Sequence, residues 1–150
     1  SACLSFELRF SQIRDLKKLL PAEALVYGRL PLMITENCLV QNETGCRLDR
    51  QGPCVPEDGP CRCGQPNVLV DRTGAAFPLL PAYGHRTEIQ NSKPLYLADR
   101  PEHRRLGLAY ARLRFTTETA EECVSVVQNY LDAAPAAGDF TRGLYERGVE

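Results

Sequence analysis

The sequence predicts an α/β fold: a βαβ crossover unit, then a cysteine-rich loop, then a C-terminal mixed α/β extension. Three observations carry this expectation. Residues 2–33 read strand, helix, strand over about thirty residues, the span of a parallel crossover. Residues 34–66 lose hydrophobic periodicity while gathering five cysteines. Residues 116–132 carry the clearest amphipathic helix pattern in the chain.

From the N-terminus, Ala2 to Leu8 alternates with Leu4, Phe6 and Leu8 on one face, which predicts a strand. Ser11 is placed to cap a helix over 11–20, whose apolar positions Ile13, Leu16, Leu19 and Leu20 recur at helical spacing. Pro21 ends it. Ala24 to Met33 is more continuously apolar, the mark of a strand buried on both faces. Residues 34–66 then predict a long loop, a rare feature that is functional or disordered when it occurs, and one that cysteine ligands would order.

Val68–Val70 and Ala75–Leu80 flank Asp71-Arg72-Thr73-Gly74, a hairpin turn with Gly74 free to take positive φ. Leu95–Leu97 predicts a short strand, and Asp99 and Pro101 open a short helix that Gly107 stops. Tyr110–Phe115 is another strand. Thr116 or Thr117 is placed to cap the helix over 118–132. Glu118, Glu121 and Glu122 suit its positive end, and Cys123, Val126, Val127, Tyr130 and Leu131 form one apolar stripe. Ala133–Gly138 reads as a linker, and the tail from Phe140 to Glu150 as an extended segment fixed only by packing.

With 150 residues the chain can bury one substantial core. Its net charge of −1 gives no global field toward nucleic acid or membrane. No apolar run approaches the roughly 20 residues of a membrane helix. Arg9, Arg14, Asp15, Lys17 and Lys18 break up the N-terminal apolar stretch, so no secretory leader is expected and the location reads as cytoplasmic. A Ser-Ala start without Met reads as a piece trimmed from a longer chain. Fifteen of the 18 basic residues are Arg, which either reflects compositional bias alongside abundant Ala, Gly and Pro, or provides bidentate groups for phosphate and carboxylate.

Seven cysteines are many for a cytosolic chain. Cys3, in a strand-like run, and Cys123, on an apolar helix face, read as small core residues. The other five, Cys38, Cys46, Cys54, Cys61 and Cys63, share one Gly/Pro/Asp-rich stretch. Four thiolates close either a tetrahedral Zn²⁺ site or an iron–sulfur cluster. The expected set is Cys38, Cys46, Cys61 and Cys63, with Cys54 spare. Gaps of seven, fourteen and one residues lack the paired knuckles of a zinc ribbon, so clustering rather than spacing carries the reading. Disulfides and free thiols are the alternatives. His85, in Ala82-Tyr83-Gly84-His85-Arg86, is a candidate fifth ligand or a solvated loop residue. His103, among Pro101, Glu102, Arg104 and Arg105, reads as a helix-surface residue. No nucleophile elbow or zinc-protease helix appears, and nothing in the sequence joins Cys38 to His85 as a thiol–imidazole pair. No catalytic residue is therefore assigned.

The run Tyr27-Gly28-Arg29-Leu30-Pro31-Leu32-Met33-Ile34-Thr35-Glu36-Asn37-Cys38 resembles the U32 peptidase family of collagenase-like proteases. The resemblance continues through Asp71-Arg72-Thr73-Gly74, Phe77-Pro78 and Asn91-Ser92-Lys93-Pro94-Leu95-Tyr96-Leu97. The ending, residues 141–150, is similar to the terminus of long bacterial members. It implies that residues 1–38 are the last strands of a (β/α) barrel-like core, 39–66 a cysteine-rich loop and 67–150 a C-terminal extension. It also implies a module acting in oxygen-independent hydroxylation or RNA modification with an iron–sulfur cluster, or else a fragment of a peptide hydrolase. Cys38 matches a cluster cysteine of that pattern; an earlier one falls on Pro31, and His85 stands where long relatives carry Cys, so the metal set is expected to be mixed. Such a piece is expected to be inactive alone. Its partners would be the remainder of its own full-length protein, RNA through that protein, and a second copy through an exposed strand edge.

Overall fold

The structure, a computed structural model, describes residues 1–16, 19–44, 62, 63 and 65–147. Among these residues it is a mixed α/β fold with an open six-stranded sheet and three α-helices. In chain order these are β1 (Ala2–Cys3), α1 (Phe10–Asp15), β2 (Ala22–Thr35), α2 (Leu39–Thr44), β3 (Asn67–Val70), β4 (Ala76–Ala82), β5 (Arg86–Tyr96), β6 (Tyr110–Leu113) and α3 (Ala120–Asp132), with a 3₁₀ turn at Pro101–Arg105. The strand order is β1-β2-β5-β4-β3, with β6 also paired to β2. β1 and β6 run parallel to β2, while β3, β4 and β5 form antiparallel neighbours. The chain divides into two compact units, Ser1–Leu30 with Lys93–Glu150, and Pro31–Ser92.

In the first unit, Ile13, Leu25, Val26, Leu30, Leu95, Leu97, Leu106 and Tyr145 form one buried cluster. β1 pairs with β2 in parallel, Ala2 opposite Ala22, so strand, α1 and strand form the crossover expected from the sequence. The expected strand over 2–8 is cut to two residues. After Leu4 N–H donates to the Glu23 carbonyl at 2.8 Å the chain turns, yet Leu4, Phe6 and Leu8 still pack on the core. Their alternation reports which side faces inward, not strand pairing.

α1 is shorter than the expected 11–20 and ends at Asp15. Its first turn is capped by the Gln12 side chain, which accepts the Arg9 N–H at 2.8 Å, not by Ser11. Phe10 stacks on Tyr145 with centroids 5.2 Å apart and Ile13 is fully buried, so these two fill the available core. Leu19 and Leu20 are left 80% and 65% exposed.

β2 is buried through Leu30, as its continuous apolar character predicts, but Leu32, Met33 and Ile34 are exposed. A register shift lies between Leu25 and Tyr27 where β6 pairs. Gly28 follows with φ +123°, and a Cβ built there would sit 2.2 Å from the Arg114 carbonyl oxygen. Only glycine fits that approach.

α3 matches the expected helix closely, but its cap is Thr119. The Glu122 N–H donates to Thr119 Oγ1 at 3.3 Å, and the Thr119 N–H to Glu122 Oε2 at 2.7 Å, forming a capping box. Val126 and Tyr130 pack on the cluster of Tyr27, Tyr96 and Ala98. The Tyr130 hydroxyl donates to the Val26 carbonyl and accepts the Leu97 N–H. The outer part of the stripe, Val127 and Leu131, remains exposed.

Three side-chain expectations are corrected. Cys3 is exposed, because the alternation that turns Ala2 and Leu4 inward turns it outward, and Cys123 is half-buried. His103 is buried, with Nδ1 against the Arg100 carbonyl and its ring 6.2 Å from that of Tyr130, because the 3₁₀ turn rotates it inward. The tail is held by more than packing. Thr141 bridges to Leu95, and Arg142 grips Asp99 through two bonds of 2.5 and 2.7 Å while donating to the Tyr96 carbonyl. The Arg142 bonds hold the Asp99 carboxyl below the usual carboxylate range.

In the second unit, the 71–74 turn forms as the sequence predicts. Asp71 Oδ1 accepts the N–H groups of Thr73 and Ala75 and the Thr73 hydroxyl, and Gly74 takes φ +85°. The expected structureless stretch from residue 34 instead begins with the end of β2 and with α2. Leu39 and Val40 find partners in a small cluster with Cys38, Leu79 and Ile89.

Candidate metal centre

The strongest chemistry-bearing feature among the described residues is a pair of thiols in the second unit. Cys38 stands immediately before α2. Two side chains fix that position: Thr35 Oγ1 donates to the Asn37 carbonyl, and Thr87 Oγ1, at the start of β5, accepts the Leu39 N–H at 3.0 Å. An ion pair between Arg86 and Glu36, 2.9 Å at its closest, ties the same two stretches together. Cys63 stands just before β3. Asn67 Nδ2 donates to the carbonyls of Arg62 and Gln65 at 2.9 and 2.7 Å, and the Gln65 N–H donates to Arg62, so the turn carrying Cys63 is internally bonded.

These two frames bring Cys38 Sγ and Cys63 Sγ to 3.3 Å. Cys38 is 6% exposed, within a cluster that includes Val40 and Leu79, whereas Cys63 is half-buried. The separation is too long for a disulfide, whose sulfurs lie about 2.05 Å apart. It lies near the roughly 3.8 Å that tetrahedral zinc sets between two ligand sulfurs bonded at about 2.3 Å. In an iron–sulfur cube each thiolate bonds its own iron, so two terminal ligands diverge onto separate corners, whereas a two-iron cluster carries two thiolates on one iron at the spacing that a single ion sets. A cleft of about 450 Å³ lined by Leu39, Val40, Arg62, Asn67 and Leu79 opens beside it.

Of the other expected ligands, Cys46 and Cys61 lie outside the described residues, as does the spare Cys54. His85 occupies the β4–β5 turn, half-buried, with φ +59°. It does not complete the pair: among the described residues no group of three His, Cys, Asp or Glu is placed to hold a metal ion. Thr87 was not singled out from the sequence, where a lone Thr in a polar run has no signal; its role arises only when β5 meets the start of α2.

A second cavity, of about 480 Å³, lies in the first unit and is lined by Tyr27, Arg29, Tyr96, Glu118, Glu122 and Phe140, among others. Its polar groups largely satisfy one another. The Tyr27 hydroxyl donates to Glu118 Oε1 at 3.2 Å, and Glu118 Oε2 accepts the Thr116 and Thr117 N–H groups. Burial pushes the Glu118 carboxyl up, but those N–H donors hold it below its ordinary value, while burial and the Glu118 charge raise the Tyr27 phenol. This network fastens the start of α3 to β2.

Comparison with protein-family models, with curated proteins and with solved structures finds no match. No described helix is long and apolar enough to cross a membrane.

Proposed function

We propose that the chain is a thiol-rich metal-binding module whose site is seeded by Cys38 and Cys63 and takes a single zinc ion. The observation that carries this reading is the 3.3 Å approach of two sulfurs 25 residues apart in sequence, each fixed by its own hydrogen-bonded frame. Cys46 and Cys61 are the natural further ligands by type and proximity in sequence, with His85 as a substitute. Zinc bound there would tie α2 to the segment before β3 and contribute on the order of 10 kcal/mol to folding.

The resemblance of residues 27–38 to the U32 family supports a wider role. In that role the strand–helix–strand unit belongs to a barrel-like core completed by the remainder of a longer protein. The module then serves oxygen-independent hydroxylation or RNA modification by the whole, and the peptide-hydrolase reading is the alternative.

The test is metal analysis of the chain purified anaerobically and reloaded with zinc. One zinc per chain is expected, lost on Cys38→Ser or Cys63→Ser and retained on Cys3→Ser or Cys123→Ser. Zinc retained by both Cys38→Ser and Cys63→Ser would overturn the reading. Visible absorbance with two or four irons per chain would replace zinc by a cluster.

A further inference from the structure

We propose that Cys63 and Cys38 form a reversible dithiol that exchanges with a low-molecular-weight disulfide such as oxidised glutathione. Cys63 is the attacking thiol and Cys38 the resolving one. The proposal shares its two sulfurs with the zinc reading but stands on their separation and unequal exposure.

The 3.3 Å contact leaves the sulfurs about 1.3 Å beyond the roughly 2.05 Å of a disulfide bond. Neither is in a disulfide. The exposures assign the order of events. Cys63, half-buried, can meet a disulfide from solution, whereas Cys38 is 6% exposed and, among the described residues, its sulfur meets that of Cys63. Exchange proceeds by attack of a thiolate on a disulfide sulfur. The Cys63 sulfur bonds to one sulfur of the small disulfide, whose S–S bond breaks; the leaving half departs as a thiol with the proton that Cys63 gave up. Cys38 then attacks Cys63 Sγ, the mixed disulfide breaks, and the second half leaves as a thiol with the proton from Cys38. The protein dithiol loses two electrons and two protons, and one small disulfide becomes two thiols. The bond so formed removes both sulfurs from any metal, so oxidation and zinc binding exclude each other.

The test uses the full chain, reduced and metal-free, exposed anaerobically to oxidised glutathione, then alkylated and digested with trypsin and a glutamyl endopeptidase. Cleavage after Glu36, Glu43, Arg50, Glu57 and Arg62 places Cys38, Cys46, Cys54, Cys61 and Cys63 on separate peptides. The expected product is a linked Cys38–Cys63 peptide pair with loss of two hydrogens. Cys38→Ser should lose that link and accumulate glutathione on Cys63, and Cys63→Ser should leave Cys38 unmodified. Absence of the linked pair, or its replacement by links to Cys46, Cys54 or Cys61, overturns the proposal. Zinc analysis of the reduced chain separates the two readings. Zinc binding without the linked pair leaves the metal reading standing alone, and the linked pair without zinc binding leaves the dithiol alone. When the zinc-loaded chain is oxidised in the same way, release of zinc in step with the link is expected if both hold.

Discussion

The Tyr145 hydroxyl donates to the Leu25 carbonyl at 2.6 Å, joining the turn at residues 143–147 to the second strand of its sheet. Tyr145 is 2% exposed and its ring lies against Phe10, so the bond is sealed from water. Tyr145→Phe keeps the ring and leaves a buried acceptor short of a partner, and should cost about 1–3 kcal/mol. Tyr145→Ala also opens a cavity and should cost about 3–5 kcal/mol. Urea melts of the three proteins check the order; a Phe variant as stable as the parent would remove the bond from the account.

Gly28→Ala should destabilise more than any other glycine-to-alanine change in the described chain. Its Cβ would meet the Arg114 carbonyl oxygen at 2.2 Å, from a backbone at φ +123°. Gly74 has φ +85° but open space around it, so Gly74→Ala should cost only about 1 kcal/mol of backbone strain. Comparing the two midpoints in denaturant isolates the clash from the strain.

Burial holds the His103 imidazole below its ordinary value, with the Arg100 carbonyl pulling the other way and Arg104, Glu102 and Asp99 as charged neighbours. The unfolded chain therefore takes up this proton at a higher pH than the folded one. Stability should be constant in this respect above about pH 6.5 and fall as the pH drops below it. His103→Gln should flatten the slope between pH 7 and pH 5. An unchanged slope would show that His103 titrates alike in both states.

The isolated chain should leave gelatin and casein intact, with or without zinc. Inhibitor-sensitive cleavage by the pure chain, abolished in Cys38→Ala, would favour the peptide-hydrolase alternative.

Much of this fold is legible locally. The Val126–Tyr130 spacing carries α3, although its cap is Thr119 and not Thr116 or Thr117, and Asp71 with Gly74 carries the hairpin turn. What stays hidden is non-local. β5 reads as only Leu95–Leu97 because Gln90, Asn91, Ser92 and Lys93 look like a polar break. Yet Gln90 is fully buried and bonds the Glu88 side chain, and the strand runs unbroken from Arg86. His103 sits among charged neighbours in sequence, so its inward direction appears only from the 3₁₀ geometry. The clustering of cysteines is visible in the sequence, but that Cys38 meets Cys63 depends on Thr87 and Asn67, which have no chemical signal of their own.

The first unit is assembled from Ser1–Leu30 and Lys93–Glu150, with the whole of Pro31–Ser92 between them in the chain. During synthesis at about 5–20 residues per second, the first thirty residues must wait for several seconds before the strands and helix that cover them exist. Until then Leu25, Val26 and Leu30 have no Leu95, Leu97 or Tyr145 to pack on. A chain cut short before residue 93 therefore leaves Leu25, Val26 and Leu30 uncovered, whereas one cut short just before Tyr145 has Leu95 and Leu97 in place and lacks only the ring and hydroxyl that close the cluster over the Leu25 carbonyl.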